Sequence, residues 1–162
     1  MREIELTRGQ RAIVDDADFD WLNQWKWTAD TDGYNWYAYR VVRKNSKNLK
    51  IRMHRLILGL GRGDRRQIDH INHNGLDNRR CNIRICSCQQ NQQNQKNQIN
   101  VTSKFKGVSK CKQRNKYKWR TCIVINGKQK TIGRFEMEEV AALAYDIAAT
   151  REFGEFANCN FN

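Results

Sequence analysis

Between Gln67 and Asn94 the chain reads QIDHINHNGLDNRRCNIRICSCQQNQQN. Few of these side chains are apolar, so the segment cannot fold around a core of its own. It has to be held by hydrogen bonds, by its Gly-containing turn and by whatever the Asp69-His70 step binds.

At 162 residues the chain has room for one domain, or for two or three very small ones. An apolar content of 39% argues against disorder by composition. The apolar runs fall far short of the roughly 20 residues that a membrane-spanning helix needs. The opening MREIELTRGQ lacks the apolar stretch of a signal peptide. The expectation is a cytoplasmic protein that is not secreted and binds no membrane. The six cysteines, at 81, 86, 88, 111, 122 and 159, form no C-x-x-C pair, which argues against a zinc ribbon. They read as reduced thiols packed as small hydrophobes, with Cys86 and Cys88 alternating as on one face of a strand.

The net charge of +13 is unevenly spread. Residues 40–66 hold 10 Lys/Arg against 1 acid, and residues 104–134 hold 11 against none. Both ends are acidic. A solvated surface does not explain 11 cations in 31 residues without an acid. Two basic blocks of this kind point to a polyanion, most naturally a nucleic acid. An anionic membrane surface or an acidic protein would call for a basic amphipathic helix, which the sequence lacks.

The pattern along the chain is mixed. DADFDWLNQW reads as a short helix capped by Asp15 or Asp16, and NWYAYRVVR as a strand. The tryptophans at 21, 25, 27 and 36 read as packing for a small core. RQIDH and NIRIC read as strands joined through HNGLDN, followed by a helix opened by Ser87. QQNQQNQKNQIN is read as that helix fraying into a linker near 99–103. This order would let Asp69, His70 and Asn91 converge on one cleft.

At this point the chain resembles a known family. Asp69-His70, then Asn82-Ile83-Arg84, then Gln90-Asn91 are similar in spacing to the HNH nucleases of ββα-metal fold. The match is to the variant of phage and intron-encoded homing endonucleases in which asparagine replaces the last histidine. The resemblance implies His70 as general base, Asn82 as the residue that holds the hairpin loop and orients His70, and Asp69 and Asn91 as metal ligands. It implies Mg²⁺ (or Mn²⁺), phosphodiester hydrolysis and products with a 5′ phosphate and a 3′ hydroxyl. The chemistry is coherent, since oxygen donors suit a hard cation and a neutral imidazole can accept a proton near neutral pH. His54 in IRMHRLILG matches a His-Arg step often seen upstream in this family. Arg55 and Arg84 are candidate phosphate contacts. His73, Asn78 and Arg79 read as loop residues.

The last sixty residues carry a second pattern. FKGVSKCK, KWRTCIVI and KQKTIGRF alternate as strands, and Asn126-Gly127 between the last two is a strong hairpin signal. EMEEVAALAYDIAATREFG has helical periodicity, with Val140, Ala141, Ala144, Tyr145 and Ala148 expected on one face and Gly154 as the stop. Gly107-Val108, Trp119, Ile132-Gly133-Arg134-Phe135, Ala144-Tyr145-Asp146 and Asn160-Phe161 resemble the APETALA2/ethylene-response-factor DNA-binding domain. That resemblance implies a sheet laid in the DNA major groove and a helix behind it. Alternation turns Trp119, Thr121, Ile123 and Ile125 to the helix, and Arg120, Cys122 and Val124 to DNA. Lys106, Ser109, Lys110, Lys112, Gln129, Thr131 and Arg134 complete the expected DNA face. The chain departs from the plant pattern at Cys122, Gln129 and Thr131, where base-reading residues stand in that family.

The expectation is therefore an α+β protein in three parts. Residues 1–50 form a small β-rich region, 51–100 a ββα-metal nuclease core, and 101–162 a three-stranded antiparallel sheet packed on one helix. It would act as a monomer on double-stranded DNA and resembles free-standing phage endonucleases. The alternatives are a non-catalytic DNA-binding regulator and an RNA-binding protein. The first would be expected to have lost Asp69, His70 or Asn91; the second would expose aromatic stacking platforms on the sheet.

Overall fold

The computed structural model describes residues 1–95, 102–111 and 118–161. Within them the chain is a mixture of α and β, with several small antiparallel sheets. It divides into two compact units, Met1–Cys88 and Gln89–Asn162.

The first unit begins with a two-stranded sheet, β1 (Arg2–Glu5) and β2 (Arg11–Val14), followed by helix α1 (Asp16–Asn23). Strands β3 (Thr28–Thr31), β4 (Trp36–Lys44) and β5 (Lys47–Arg52) make a three-stranded meander, and α2 (Met53–Ile57) follows it. The hairpin of β6 (Gln67–His70) and β7 (Ile83–Cys86) closes the unit. Alternation on β1 and β2 buries Ile4, Ala12 and Val14, while α1 contributes Leu22. These pack with Trp27, Ala29, Ala38, Met53, Ile57, Leu76 and Ile83 into one core. Burying an aliphatic side chain of this size is worth roughly 1.5–3 kcal/mol. Trp27 also donates its indole N–H to Leu22 O at 2.9 Å, so its polar atom is not stranded. Trp21, Trp25 and Trp36 line the edge of the core, as packing residues should.

The α1 cap differs from expectation. Asp15 occupies the N-cap position but makes no side-chain cap bond. Its carboxylate instead accepts the backbone N–H of Arg80 at 2.8 Å. The Arg80 guanidinium donates to both oxygens of buried Asp18, each at 2.8 Å. Main-chain bonds from Ile13 N to Leu76 O and from Asn78 N to Ile13 O, both 2.8 Å, fasten the same loop to β2. The N-terminal elements are thus a platform for the β6–β7 connection. Gly75 lets that loop close down, since a Cβ there would lie 2.4 Å from Trp36 O and 2.6 Å from the Tyr37 ring.

Helix α3 (Cys88–Asn94) leads into the second unit. Strands β8 (Val108–Lys110), β9 (Trp119–Ile125) and β10 (Lys128–Phe135) form an antiparallel sheet in the order β10-β9-β8, with α4 (Glu138–Phe153) on one face. The hairpin turn is where the sequence put it: Asn126 and Gly127 have φ of 52° and 74°, the left-handed pair that suits a tight hairpin. Thr121 faces the helix and donates its hydroxyl to Ala141 O at 2.9 Å. The buried face of α4 is Ala141, Ala142, Tyr145, Asp146 and Ala149, and Val140 is exposed. The expected stripe is therefore rotated, because small alanines let the helix approach the sheet while bulky Val140, Leu143 and Ile147 stay outside. Gly107, at φ 75°, is required by the fold, since a Cβ would fall 2.0 Å from the Tyr145 ring.

Candidate nuclease site and basic sheet

In the first unit the β6–β7 register sets Asp69 opposite Arg84 and His70 opposite Ile83. Asp69 and His70 are both buried. Arg84 donates to Asp69 Oδ2 through Nε at 3.0 Å and Nη2 at 2.8 Å. The pair is well shielded, with side-chain exposures of 14% for Arg84 and 6% for Asp69. His70 Nε2 lies 3.4 Å from Asn78 Oδ1. Asn78 is itself wholly buried and donates its Nδ2 to Leu76 O at 3.2 Å, which turns its carbonyl toward the imidazole. With the Asn78 carbonyl as acceptor, the neutral ring carries its proton on Nε2. Burial pushes the His70 pKa down, against the pull of Asn78, Asp69 and Asp77, so the ring is neutral at neutral pH.

The connecting loop is held by its own polar groups. Asn82 accepts the N–H of Asn72 at 3.0 Å and donates Nδ2 to Asp77 O at 2.8 Å. Asp77 is gripped by Asn72 at 2.8 Å and by Arg79 at 2.6 and 2.8 Å. Asn82 thus ties the two ends of the loop, and Asn78 on that loop comes within reach of the His70 ring. Sequence reading assigned Asn78 to the loop and missed this contact. Nothing in the sequence sets it apart from the neighbouring asparagines.

A second imidazole stands beside His70. His54, on α2, has its ring centroid 5.1 Å from that of His70, and Tyr37 lies 6.1 Å from each. His54 Nδ1 is buried without a hydrogen-bond partner among the described residues. Burial first, then the nearby His70, Arg52 and Arg55, push its pKa down to about 3.

Arg55, expected at phosphate, donates to the carbonyl oxygens of Arg66 at 3.0 Å and Asp64 at 2.8 Å. Those bonds close the 61–66 loop and occupy much of its donor fork. Cys86 is buried at the end of β7, whereas Cys88 opens a helix and is exposed, so the two do not share a strand face. All six cysteines are free thiols.

Asn91 lies on α3, in the second unit. That helix is anchored within the unit by Gln89 Nε2 to Asn126 Oδ1 at 2.9 Å. Lys106 Nζ donates to Gln93 O and Gln95 O at the other end of the helix. Burial pushes the Lys106 amine down to about 8. Lys106 thus closes the end of α3 rather than standing on the sheet face.

Strand register assigns the faces of the basic sheet. Ser109 and Arg134 both pair with Arg120, Thr131 pairs with Cys122, and Gln129 with Val124. These seven share the face opposite α4. Cys122 lies on that face but is buried, its Sγ 3.6 Å from Thr131 Oγ1, and so offers little surface to a ligand. Lys110 pairs with Trp119, which packs toward α4, so Lys110 belongs to the other side. Lys112, like the 112–117 loop and residues 96–101, lies outside the described residues. Two arginines directly opposite one another repel in the free protein; a polyanion across that face relieves the repulsion. Asp146 accepts three bonds from Asn160 and Phe161, and Asn160 bonds Lys106 N and O, so the Tyr145-Asp146 step is structural.

Asp69 offers hard oxygen donors of the kind a divalent cation takes, and in this structure one of its oxygens, Oδ2, accepts two bonds from the Arg84 guanidinium. Among the described residues no group of three or more His, Cys, Asp or Glu side chains could hold a metal ion. Remaining ligands would be amide oxygens, water and substrate phosphate, the pattern Mg²⁺ favours. No helix among the described residues is long and apolar enough to cross a membrane.

A protein of Acanthamoeba polyphaga mimivirus, described as an uncharacterized HNH endonuclease, is 35% identical over 132 residues, covering 78% of this chain and 67% of the relative. No family model matches the chain.

Proposed function

Because the chain belongs to the HNH endonuclease family, we propose that it is a metal-dependent, site-specific DNA endonuclease of the homing type, hydrolysing a phosphodiester to a 5′ phosphate and a 3′ hydroxyl. The observation that carries this reading is the buried Asp69-His70 step with its imidazole held neutral and oriented by Asn78. His70 takes the proton of the attacking water on Nδ1. Asn78 keeps the other ring nitrogen protonated, and Asn82 holds the loop that carries Asn78. Asp69 and Asn91 are the proposed ligands for Mg²⁺ or Mn²⁺ in a ββα-metal arrangement. The cation would supply Lewis-acid stabilisation of the phosphate and of the leaving 3′ oxygen.

The second unit is proposed as an APETALA2/ethylene-response-factor-like module that finds the site on double-stranded DNA. Ser109, Arg120, Val124, Gln129, Thr131 and Arg134 would face the duplex. The arginines would give affinity and salt dependence, and Gln129 and Thr131 would contact base edges. Two modest DNA-binding units on one monomer raise each other's effective concentration, so small modules suffice for a long site.

The test is incubation of the purified protein with supercoiled phage DNA in low salt, with Mg²⁺ and with Mn²⁺, beside His70→Ala. Nicked or linear product from the wild type alone supports the proposal, and the mapped ends give the site. Equal binding by both proteins with no cut on any DNA would favour a DNA-binding regulator.

A further inference from the structure

The carboxylate proposed to hold a cation already holds one. Arg84 reaches Asp69 Oδ2 from directly across the β6–β7 ladder, through two nitrogens. Both partners are shielded from water. A shielded pair is poorly screened, so a divalent ion arriving at Asp69 would meet a fixed positive charge within a few ångströms. It would also compete for the oxygen on which both N–H groups converge. Arg84 cannot lose its proton to relieve this. It can be moved only to another anion, and a DNA phosphate is the anion that a guanidinium fork matches.

We propose that Arg84 is a placeholder for the metal at Asp69, leaving that carboxylate for a DNA phosphate, so that the site takes up its divalent cation tightly only when DNA is bound. This inference rests on the reading of Asp69 as a metal ligand. Without DNA, Arg84 neutralises Asp69 and keeps metal affinity low. With DNA, the scissile or a neighbouring phosphate accepts the guanidinium and Asp69 is released to the cation. By linkage, metal then tightens DNA binding by the same factor. An enzyme built this way holds little active metal in its free form, which restrains cutting away from its site.

The measurement is Mn²⁺ binding to the full chain, followed by the loss of the free-ion electron paramagnetic resonance signal. Wild type, Arg84→Gln and Asp69→Asn are titrated with and without a duplex oligonucleotide. Without DNA, Arg84→Gln is expected to bind Mn²⁺ about tenfold tighter than wild type, and Asp69→Asn to lose the site. Adding DNA should tighten wild type more than Arg84→Gln. Unchanged or weaker binding by Arg84→Gln, with the site still lost in Asp69→Asn, overturns the placeholder and leaves the metal reading standing. Equal binding by wild type and Asp69→Asn in the presence of the duplex overturns both. If Arg84→Gln does not fold, a wild-type crystal grown with the duplex and soaked in saturating Mn²⁺ decides. Arg84 beyond hydrogen-bond reach of Oδ2 beside an ion at Asp69 is the expected result. Both bonds intact beside the ion, or no ion at Asp69, overturns it.

Discussion

His70 Nε2 lies 3.4 Å from the carbonyl oxygen of Asn78, whose amide nitrogen is anchored on Leu76 O. A buried amide thereby selects the tautomer of the proposed base. Asn78→Ala removes that selection without touching DNA. The single-turnover cleavage rate is expected to fall about 10–100-fold, with duplex affinity unchanged in a gel-shift titration. Asn78→Asp places a carboxylate at the ring and should move the acid limb of the pH–rate profile upward. An unchanged rate and profile in both variants would remove Asn78 from the mechanism.

Stability should depend on pH through the paired imidazoles. His54 is pushed down to about 3 by burial and by its positive neighbours, and His70 is also lowered. In the unfolded chain a histidine takes its proton near 6.5. Below that pH the unfolded state binds more protons than the folded one, so stability is complete above about 6.5 and is lost progressively as pH falls toward 3. Urea unfolding at about pH 7.5 and about pH 5 should show this loss, and His54→Phe should show less of it. The carboxylates lowered by arginine partners, Asp64 and Asp77, act only at more acid pH. An equal loss in the variant would assign the effect elsewhere.

Gly107 admits no side chain. Its φ is 75°, and a Cβ would meet both the Tyr145 ring and Cys122 O, the latter at 2.8 Å. Gly107→Ala is expected to destabilise the second unit by about 3 kcal/mol or more. The check is thermal unfolding followed by near-ultraviolet circular dichroism, together with duplex binding. A melting curve like that of wild type would mean that the turn relaxes without cost.

Arg120 and Arg134 are cross-strand partners on the face opposite α4. Replacing either by alanine should lower the slope of log affinity against log salt by about 1 if each contacts a phosphate. The free protein should be as stable as wild type or slightly more so, since a like-charge pair has been removed. Fluorescence anisotropy across a salt series measures the first effect, and urea unfolding the second. An unaltered salt slope in both variants would move the DNA contact to another face.

Part of the proposed site is legible in the sequence. Asp69-His70 and Asn82 stand out by spacing, and the structure gathers them in one buried hairpin with its loop. Their supports were not legible. Asn78 is one of many asparagines in a polar segment, and its contact depends on how β2 captures the loop through Ile13. Arg80 looked like any surface arginine until Asp15 and Asp18, more than sixty positions earlier, were brought to it. Arg55 and Lys106 looked like phosphate contacts because charge alone does not reveal which main-chain oxygens a folded chain presents nearby.

The sequence by itself determined what local backbone chemistry controls. Asn126-Gly127 turns because both residues tolerate a left-handed φ, and the flanking strands follow from alternation. Gly154 ends α4, and the separation of basic strands from an acidic helix is written in the order of residues. Tertiary structure decided which faces those elements present. Strict alternation from Thr131 would turn Arg134 toward the helix, but the ladder slips between Thr131 and Gly133, and Arg134 comes out opposite Arg120. That slip shifts the pleat by one residue, and it is fixed by pairing with β9 rather than by any signal within KQKTIGRF. Arg84 and Asp69 met in the same way, as opposite positions in a register that the whole first unit holds in place. Local propensity acts over a few residues, whereas register, loop capture and ion pairing are settled only when distant segments compete for the same buried space.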